Sequence, residues 1–354
     1  FTTDNGWIAA TVPGTVLTSF VNYGAIANPN YADNMFGISD AYFCSNFWYR
    51  RTFVIPQEMR GQRVLLNFDG INWKADVWLN GKKIDRIEGA FTRSTADITP
   101  YINNGVNTMA VLIHKNAHPG SIKEKNHLNT DFNGGILGAD NPTFHATTGW
   151  DWISTIRGRD IGIWNDVYLT STASVTLSDP VVSTRLDNLP DTLACITPRV
   201  IAHNWLNKDV SGTLKGWIGN LKFEKKLTLK AGEQCEVVFN PEQYPTLNDQ
   251  RIRLWWPNGY GEPYLHEAGF EFVADDKQNT TTNARIGYKA GIREVRYADA
   301  KTQLKLYVNG KRLVPLGGNW GFSESNLNYR QREYDIAVRL HRDMNFNMIR
   351  NWVG

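Results

Sequence analysis

The feature that most restricts the fold is a succession of short strand-like runs, separated by turn residues and lacking any long helical period. Residues 75–84, ADVWLNGKKI, are the clearest example. Asn80-Gly81 stands between two such runs, and both central residues of a type I′ turn need the positive φ that Asn and Gly tolerate. A hairpin is expected there. The runs 48–55 (WYRRTFVI), 63–68 (RVLLNF), 109–114 (MAVLIH) and 164–169 (WNDVYL) have strand length and β-branched or aromatic content. Turn signals recur about every ten residues, the spacing of an antiparallel sandwich of jelly-roll type.

Residues 116–148 interrupt this series with a stretch rich in Gly, Asn, His and Asp. A loop of that length inside a compact domain usually serves a function. After about Ser174 a second series begins, at 197–203, 212–218, 225–229, 235–240, 269–273 and 292–297. It has no Cys…Trp…Cys pattern, so an immunoglobulin-like sandwich without its disulfide is expected. Beyond Ala298 the pattern changes. Residues 306–316 (LYVNGKRLVPL) predict a hairpin turning at Asn309-Gly310, followed by GGNW. Within 329–344, Tyr334, Ala337, Val338, His341 and Met344 recur at helical spacing, and 347–353 (NMIRNWV) returns to strand. That order predicts a βαβ unit. A lone βαβ unit leaves its strands uncovered, so the segment reads as the stub of a larger layer.

Composition narrows the function. The net charge of +3 is small and Lys and Arg form no runs, which argues against nucleic acid as a partner. No apolar stretch approaches the ~18 residues of a membrane span, so no membrane partner is expected. Three cysteines, Cys44, Cys195 and Cys235, without CxxC spacing suggest neither a disulfide framework nor a zinc site. The chain opens on Phe1 with no signal peptide, and reads as a mature or excised piece of something longer. The 13 Trp, 14 Tyr and 16 Phe are the unusual totals. An indole covers the C–H face of a pyranose while its N–H donates, although large β-sandwich cores also consume aromatics.

Residues 149–164, GWDWISTIRGRDIGIW, concentrate three tryptophans, two aspartates and two arginines. Together with VPGTVL (12–17), FDGINWKADVWLNGKKI (68–84), RGRDIGIWNDVYL (157–169), LWWPNGYGEPYL (254–265) and GIREV (291–295), this stretch resembles the family 2 glycoside hydrolases. The resemblance runs through the whole chain. GWDW and NFNMIRNWVG (345–354) resemble the β-mannosidase, endo-β-mannosidase and exo-β-glucosaminidase branch. It implies a mainly β chain: a galactose-binding-like jelly-roll sandwich (1–175), an immunoglobulin-like sandwich (176–297), and a truncated start of a (β/α)8 barrel (298–354).

The resemblance also implies a retaining, exo-acting β-glycosidase of β-mannosidase or endo-β-mannosidase type on β-linked oligosaccharides or glycans, with no cofactor and two glutamates on later barrel strands. A barrel takes roughly 250 residues, so the catalytic pair is expected outside this chain. By position, Glu294, Glu324 and Glu333 are not expected to serve. Asp151 is placed by the resemblance against the terminal sugar, where a carboxylate would accept two hydroxyls, with Trp150 or Trp152 as a stacking face. The competing account is a domain-closing turn with buried indoles. Arg350 matches an arginine that holds the nucleophile or nearby sugar oxygens, through a guanidinium fork suited to carboxylates. Asn351 and Trp352 follow on the same strand, and alternation lets at most one of them share its side.

Arg157 and Arg159 are expected to brace loops against Asp160 or Asp166. His114 and His118 are four apart but lead into Pro119, which prevents a shared helical face. DFNGG (131–135) resembles the start of a calcium loop yet has Pro142 where the closing glutamate would stand, so no metal site is expected. An exo-β-glucosaminidase on chitosan-like chains and a non-catalytic carbohydrate-binding protein remain alternatives. A polysaccharide-degrading role implies a periplasmic or secreted location.

Overall fold

A computed structural model describes residues 6–118, 122–123, 134–135, 155–187, 193–276, 284–320 and 330–351. Two compact units divide the chain, the first built on Phe1–Ser171 and the second on Thr172–Gly318. The C-terminal segment is shared between them: Asn319–Ile336 and Asn351–Gly354 go with the first, Ala337–Arg350 with the second.

The first unit begins with helix α1 (Val16–Tyr23), which the strand pattern did not announce. Thr15 caps it by accepting from the Thr18 N–H at 3.0 Å, and Gly24 ends it at φ 85°. The strands are β1 (Phe47–Val54), β2 (Arg63–Phe68), β3 (Lys74–Leu79), β4 (Lys82–Glu88), β5 (Ser94–Asp97), β6 (Val106–Ile113), the two-residue β7 (Ile122–Lys123) and β8 (Gly134–Gly135), and β9 (Val167–Thr172). One sheet has the order β1-β6-β3-β4 and another β5-β2-β9. The expected hairpin joins β3 to β4, with φ of 50° at Asn80 and 81° at Gly81. Alternation decides the core. Val64, Leu66 and Phe68 of β2 meet Val77 and Leu79 of β3 and Val111 and Ile113 of β6. Each such side chain contributes about 1.5–3 kcal/mol on burial.

The other side of β3 is polar and aromatic. Trp78 and Trp48 lie with ring centroids 5.1 Å apart. Asp76 is held by the Lys83 ammonium at 2.5 Å and by His114 Nε2 at 3.0 Å.

The second unit contains β10 (Val175–Asp187), β11 (Leu193–Asn204), β12 (Val210–Ile218), β13 (Leu221–Leu229), β14 (Gln234–Val238), β15 (His266–Ala274), β16 (Ala284–Ala290), β17 (Val295–Ala298), β18 (Lys305–Val308) and β19 (Lys311–Leu313). Sheets β10-β11-β14 and β13-β12-β15-β16 share one core, an immunoglobulin-like sandwich. Pro180, which has no N–H to give a ladder, falls where the β10–β11 register shifts between Ser178 and Val181. Phe223, Phe239 and Phe270 pack at the centre with centroids 4.7–6.1 Å apart. Gly216 of β12 faces Phe223, whose ring fills the space a Cβ would need.

Two motifs singled out in the sequence form a clamp in this unit. The Trp255 N–H donates to the Ile292 carbonyl at 2.9 Å, and Arg293 lies over the Trp255 ring at 4.3 Å. Asn309, at the turn between β18 and β19, donates from Nδ2 to the Trp255 carbonyl at 2.9 Å and accepts from the Glu294 N–H at 3.0 Å. Asn258 donates to the carbonyls of Arg342 and Phe346 at 3.0 and 3.1 Å, satisfying groups at the end of a helix.

That helix is α2 (Gln331–Asp343), flanked by β20 (Gly317–Trp320) and β21 (Met348–Asn351), which pair with each other. The helix expected from the spacing is therefore present. Its apolar stripe is not covered: no residue of α2 is buried, and Val338 is 53% exposed. No helix among the described residues is long and apolar enough to cross a membrane.

The Asp76 cluster yields a pH prediction. Burial works to raise the Asp76 pKa, but hydrogen bonds and charges from Lys83 and His114 outweigh it and hold the carboxyl below its usual value. A carboxyl depressed by folding stabilises above its unfolded pKa of about 3.9, and that contribution is lost as pH falls through the lower folded value. Asp76→Asn is expected to cost about 1 kcal/mol at pH 7. The gap from the parent should close on acidification below pH ~4, as followed by urea unfolding; a gap constant down to pH 3 contradicts the assignment.

Candidate functional site at the base of the long loop

After β6 and β8, the described residues resume at Thr155. The segment 155–164 belongs to no named strand and is largely buried, so its backbone groups must be paired outside a regular ladder. On one side the Asn72 N–H donates to the Gly162 carbonyl at 2.9 Å, and Gly162 returns the bond at 3.1 Å. On the other, Gly14 and Val16 donate to the carbonyls of Ile163 and Ile161 at 2.9 and 2.8 Å. The segment is thus stitched between the start of α1 and the turn before β3. Trp164 locks one end: its Nε1 donates to the Ala90 carbonyl at 3.0 Å, and its ring lies against Gly70, where a Cβ would come within 2.5 Å.

The middle of the segment carries backbone strain. Gly158, Arg159 and Asp160 take φ of 76°, 52° and 58°, and the two non-glycine residues each cost about 1–3 kcal/mol there. All three charged side chains, Arg157, Arg159 and Asp160, are buried. Arg157 donates from Nη1 to the Thr155 carbonyl at 2.9 Å and from Nε to the Ile38 carbonyl at 3.3 Å. Bracing by Arg157 therefore uses main-chain oxygens. Asn72 Nδ2 reaches the Arg159 carbonyl at 2.8 Å.

A cavity of about 200 Å³ opens at this base, lined by Asp40, Phe43, Cys44, Lys115, Asn116, Ala117 and residues of the returning segment, including Arg159. It combines a ring, a carboxylate, an amide and cations in one small space. A larger cavity, about 680 Å³, lies between β1, β9 and residues 7–12, and shares no lining residue with it. The larger one presents aliphatic and aromatic groups with Arg50 and Arg51, and contains no carboxylate to accept sugar hydroxyls. The smaller cavity has the better chemistry for a polar ligand.

Of the site residues expected from sequence, Trp150, Asp151, Trp152 and Trp352 lie outside the described residues. Arg350 and Asn351 lie on β21 with exposed side chains. Glu294 binds the Arg296 guanidinium at 2.8 Å, and Glu333 accepts from the Arg330 N–H at 3.0 Å, so both carboxylates carry structural bonds. Glu324 lies outside the described residues. His114 is engaged with Asp76. Among the described residues, one group of ligand-type side chains comes close together: Asp187, Cys195 and Asp249, within 4.8 Å. Its groups are already bonded, the Cys195 thiol to Asn248 Oδ1 at 3.1 Å and Asp187 to Arg185 at 2.8 Å. Asn116, Cys44, Asp40 and Lys115 were not singled out from sequence. The composition of 116–148 marked the region, but no spacing rule joins residues so far apart along the chain.

Two β-sandwiches, the first with a polar cavity lined by residues 40–44, 115–117 and 156–161, define a multidomain β protein. The family model for the glycosyl hydrolase 2 galactose-binding domain-like fold matches residues 1–165. Those residues are similar to that family of domains. The mannosylglycoprotein endo-beta-mannosidase of Lilium longiflorum is 32% identical over 98% of this chain and 37% of its own length. The exo-beta-D-glucosaminidase of Streptomyces avermitilis is 30% identical over 98% of this chain and 35% of its own. In fold, the exo-chitosanase CsxA of Amycolatopsis orientalis superposes with a TM-score of 0.74 at 24% identity, covering 98% of this chain and 37% of its own. The chain spans just over a third of the length of these relatives.

Arg157→Ala should lower stability by about 2–4 kcal/mol, because it removes packing and leaves the Ile38 and Thr155 carbonyls without these donors. Arg157→Lys should recover only part of this, since one ammonium cannot reproduce the fork. Thermal unfolding of both variants is the measurement; an unchanged midpoint for Arg157→Ala contradicts the bracing role.

Proposed function

We propose that this chain is the N-terminal portion of a retaining, exo-acting β-glycosidase of β-mannosidase or endo-β-mannosidase type, acting on β-linked oligosaccharides or glycans. The observation that carries the reading is the similarity to the endo-beta-mannosidase along nearly the whole chain, across both sandwiches and the C-terminal segment. An exo-β-D-glucosaminidase on chitosan-like chains is the second reading, supported by similarity of nearly the same extent. A substrate amine would call for an additional carboxylate beside the terminal sugar.

Retaining hydrolysis needs two carboxylates about 5–5.5 Å apart, one as nucleophile and one as acid/base. Glu294 precedes the segment read as barrel and Glu333 lies in its first helix, positions that a catalytic pair at the ends of later barrel strands does not use. In this reading β20, α2 and β21 are the first elements of a (β/α)8 barrel, and the uncovered stripe of α2 is a surface that further barrel elements would bury. Arg350 would then hold the nucleophile or a sugar oxygen, with Asn351 or Trp352 near it. Asp151 would hold hydroxyls of the terminal sugar, with Trp150 or Trp152 as its stacking face. The stitched base below Thr155 gives that loop a rigid footing. A polysaccharide substrate places such an enzyme in the periplasm or outside the cell.

Two measurements test this. The chain alone should not turn over aryl β-mannosides or aryl β-glucosaminides; inhibitor-sensitive turnover by the pure chain would overturn the location of the catalytic pair. In the longer enzyme, Asp151→Ala should reduce kcat/KM about 10²-fold or more with folding intact. Unchanged kinetics would return Asp151 to a purely structural role, and a longer protein that binds glycans without hydrolysis would mark a carbohydrate-binding protein.

A further inference from the structure

The small cavity contains a polar atom that no described residue satisfies. Asn116 is 9% exposed, and its Oδ1 has no hydrogen-bond partner among the described residues. A buried carbonyl oxygen without a donor is costly, and native structures rarely leave one so unless a bound group completes it. The surroundings say what kind of group fits. Arg159 lines the same space and is 3% exposed. The Phe43 ring forms an apolar wall, with Asp40 and Lys115 toward solvent. Neither the Asp40 carboxylate nor the Lys115 ammonium takes part in an ion pair among the described residues. About 200 Å³ accommodates a single six-membered sugar ring and little more.

We propose that this cavity binds one pyranose unit of the glycan, with a sugar hydroxyl donating to Asn116 Oδ1. Further hydroxyls donate to the Asp40 carboxylate and accept from Lys115, and the Phe43 ring covers a C–H face. The cavity is a positioning subsite on the sandwich itself. The assignment rests on the glycan reading given above, but a different observable tests it.

Cys44 supplies the observable. It lines the cavity and is exposed, whereas Cys195 is buried. Cys235 is half-buried, and burial pushes its thiol pKa up, so its reactive thiolate is scarce. The experiment follows the reaction of Cys44 in the full 354-residue chain with a disulfide reagent at pH 8, the modified residue being identified by peptide mass. D-mannose and D-glucosamine are the probes, and glycerol is the control.

Either sugar should slow the reaction at least threefold, with a half-effect in the millimolar range expected for one ring held by a few hydrogen bonds. Glycerol should not. Protection should vanish in Asn116→Ala and persist in Asn116→Asp, whose carboxylate still accepts. An unchanged rate with both sugars means the cavity holds only water and overturns the proposal; protection that survives Asn116→Ala overturns it as well. Aryl glycoside turnover by the longer enzyme is scored separately. Turnover without Cys44 protection removes the subsite and leaves the glycosidase reading, and protection without turnover does the reverse.

Discussion

The reciprocal hydrogen bonds between Asn72 and Gly162 are the interaction on which the first unit and its candidate site depend. They seat a buried segment with almost no strand partner against the turn before β3. With Gly14 and Val16 on its other side, the segment meets the rule that buried backbone groups must be paired. Removing that seating would leave Ile161 and Ile163 without a place in the core. The close contact of Trp164 with Gly70 works in the same direction, since no other residue at position 70 leaves room for the indole.

This seating also accounts for the charge inside the unit. The buried Arg157 guanidinium donates to two main-chain carbonyls, hydrogen bonds that offset part of its desolvation. The left-handed Arg159 and Asp160 are tolerated because the hydrogen bonds on both sides over-determine the path. Strain, buried charge and an unsatisfied amide oxygen thus collect at one end of the sandwich, while the sheets themselves are regular. In the second unit the clamp of Asn258, Trp255 and Asn309 performs a comparable task, tying the β18–β19 hairpin and the end of α2 to the region beside the sandwich.

Much of the fold was legible in the chain because it is local. Asn80-Gly81 and Asn309-Gly310 both turn hairpins with positive φ. The run 63–68 is β2 without change, and the helical spacing from Tyr334 to His341 falls within α2, which ends one residue before Met344. Helix α1 was missed because eight residues hold too few turns for a period to show, and its N-cap signal, Thr15, lies in a motif that drew attention for another reason. The site was legible only as a region. The stretch 149–164 stood out by composition, but its first half lies outside the described residues, and its second half is a structural seat.

By itself, the sequence determined the positions of most strands, both hairpin turns, the C-terminal helix and the family that residues 1–165 resemble. These follow from alternation, turn chemistry and motifs contained within short windows. Only the tertiary structure decided that Asp40, Asn116 and Arg159 share one cavity, that Arg157 serves carbonyls, and that Glu294 and Glu333 are engaged elsewhere. Those outcomes depend on distances between residues far apart in the chain. Such distances are set by how two sheets and a returning segment pack, which no local pattern encodes.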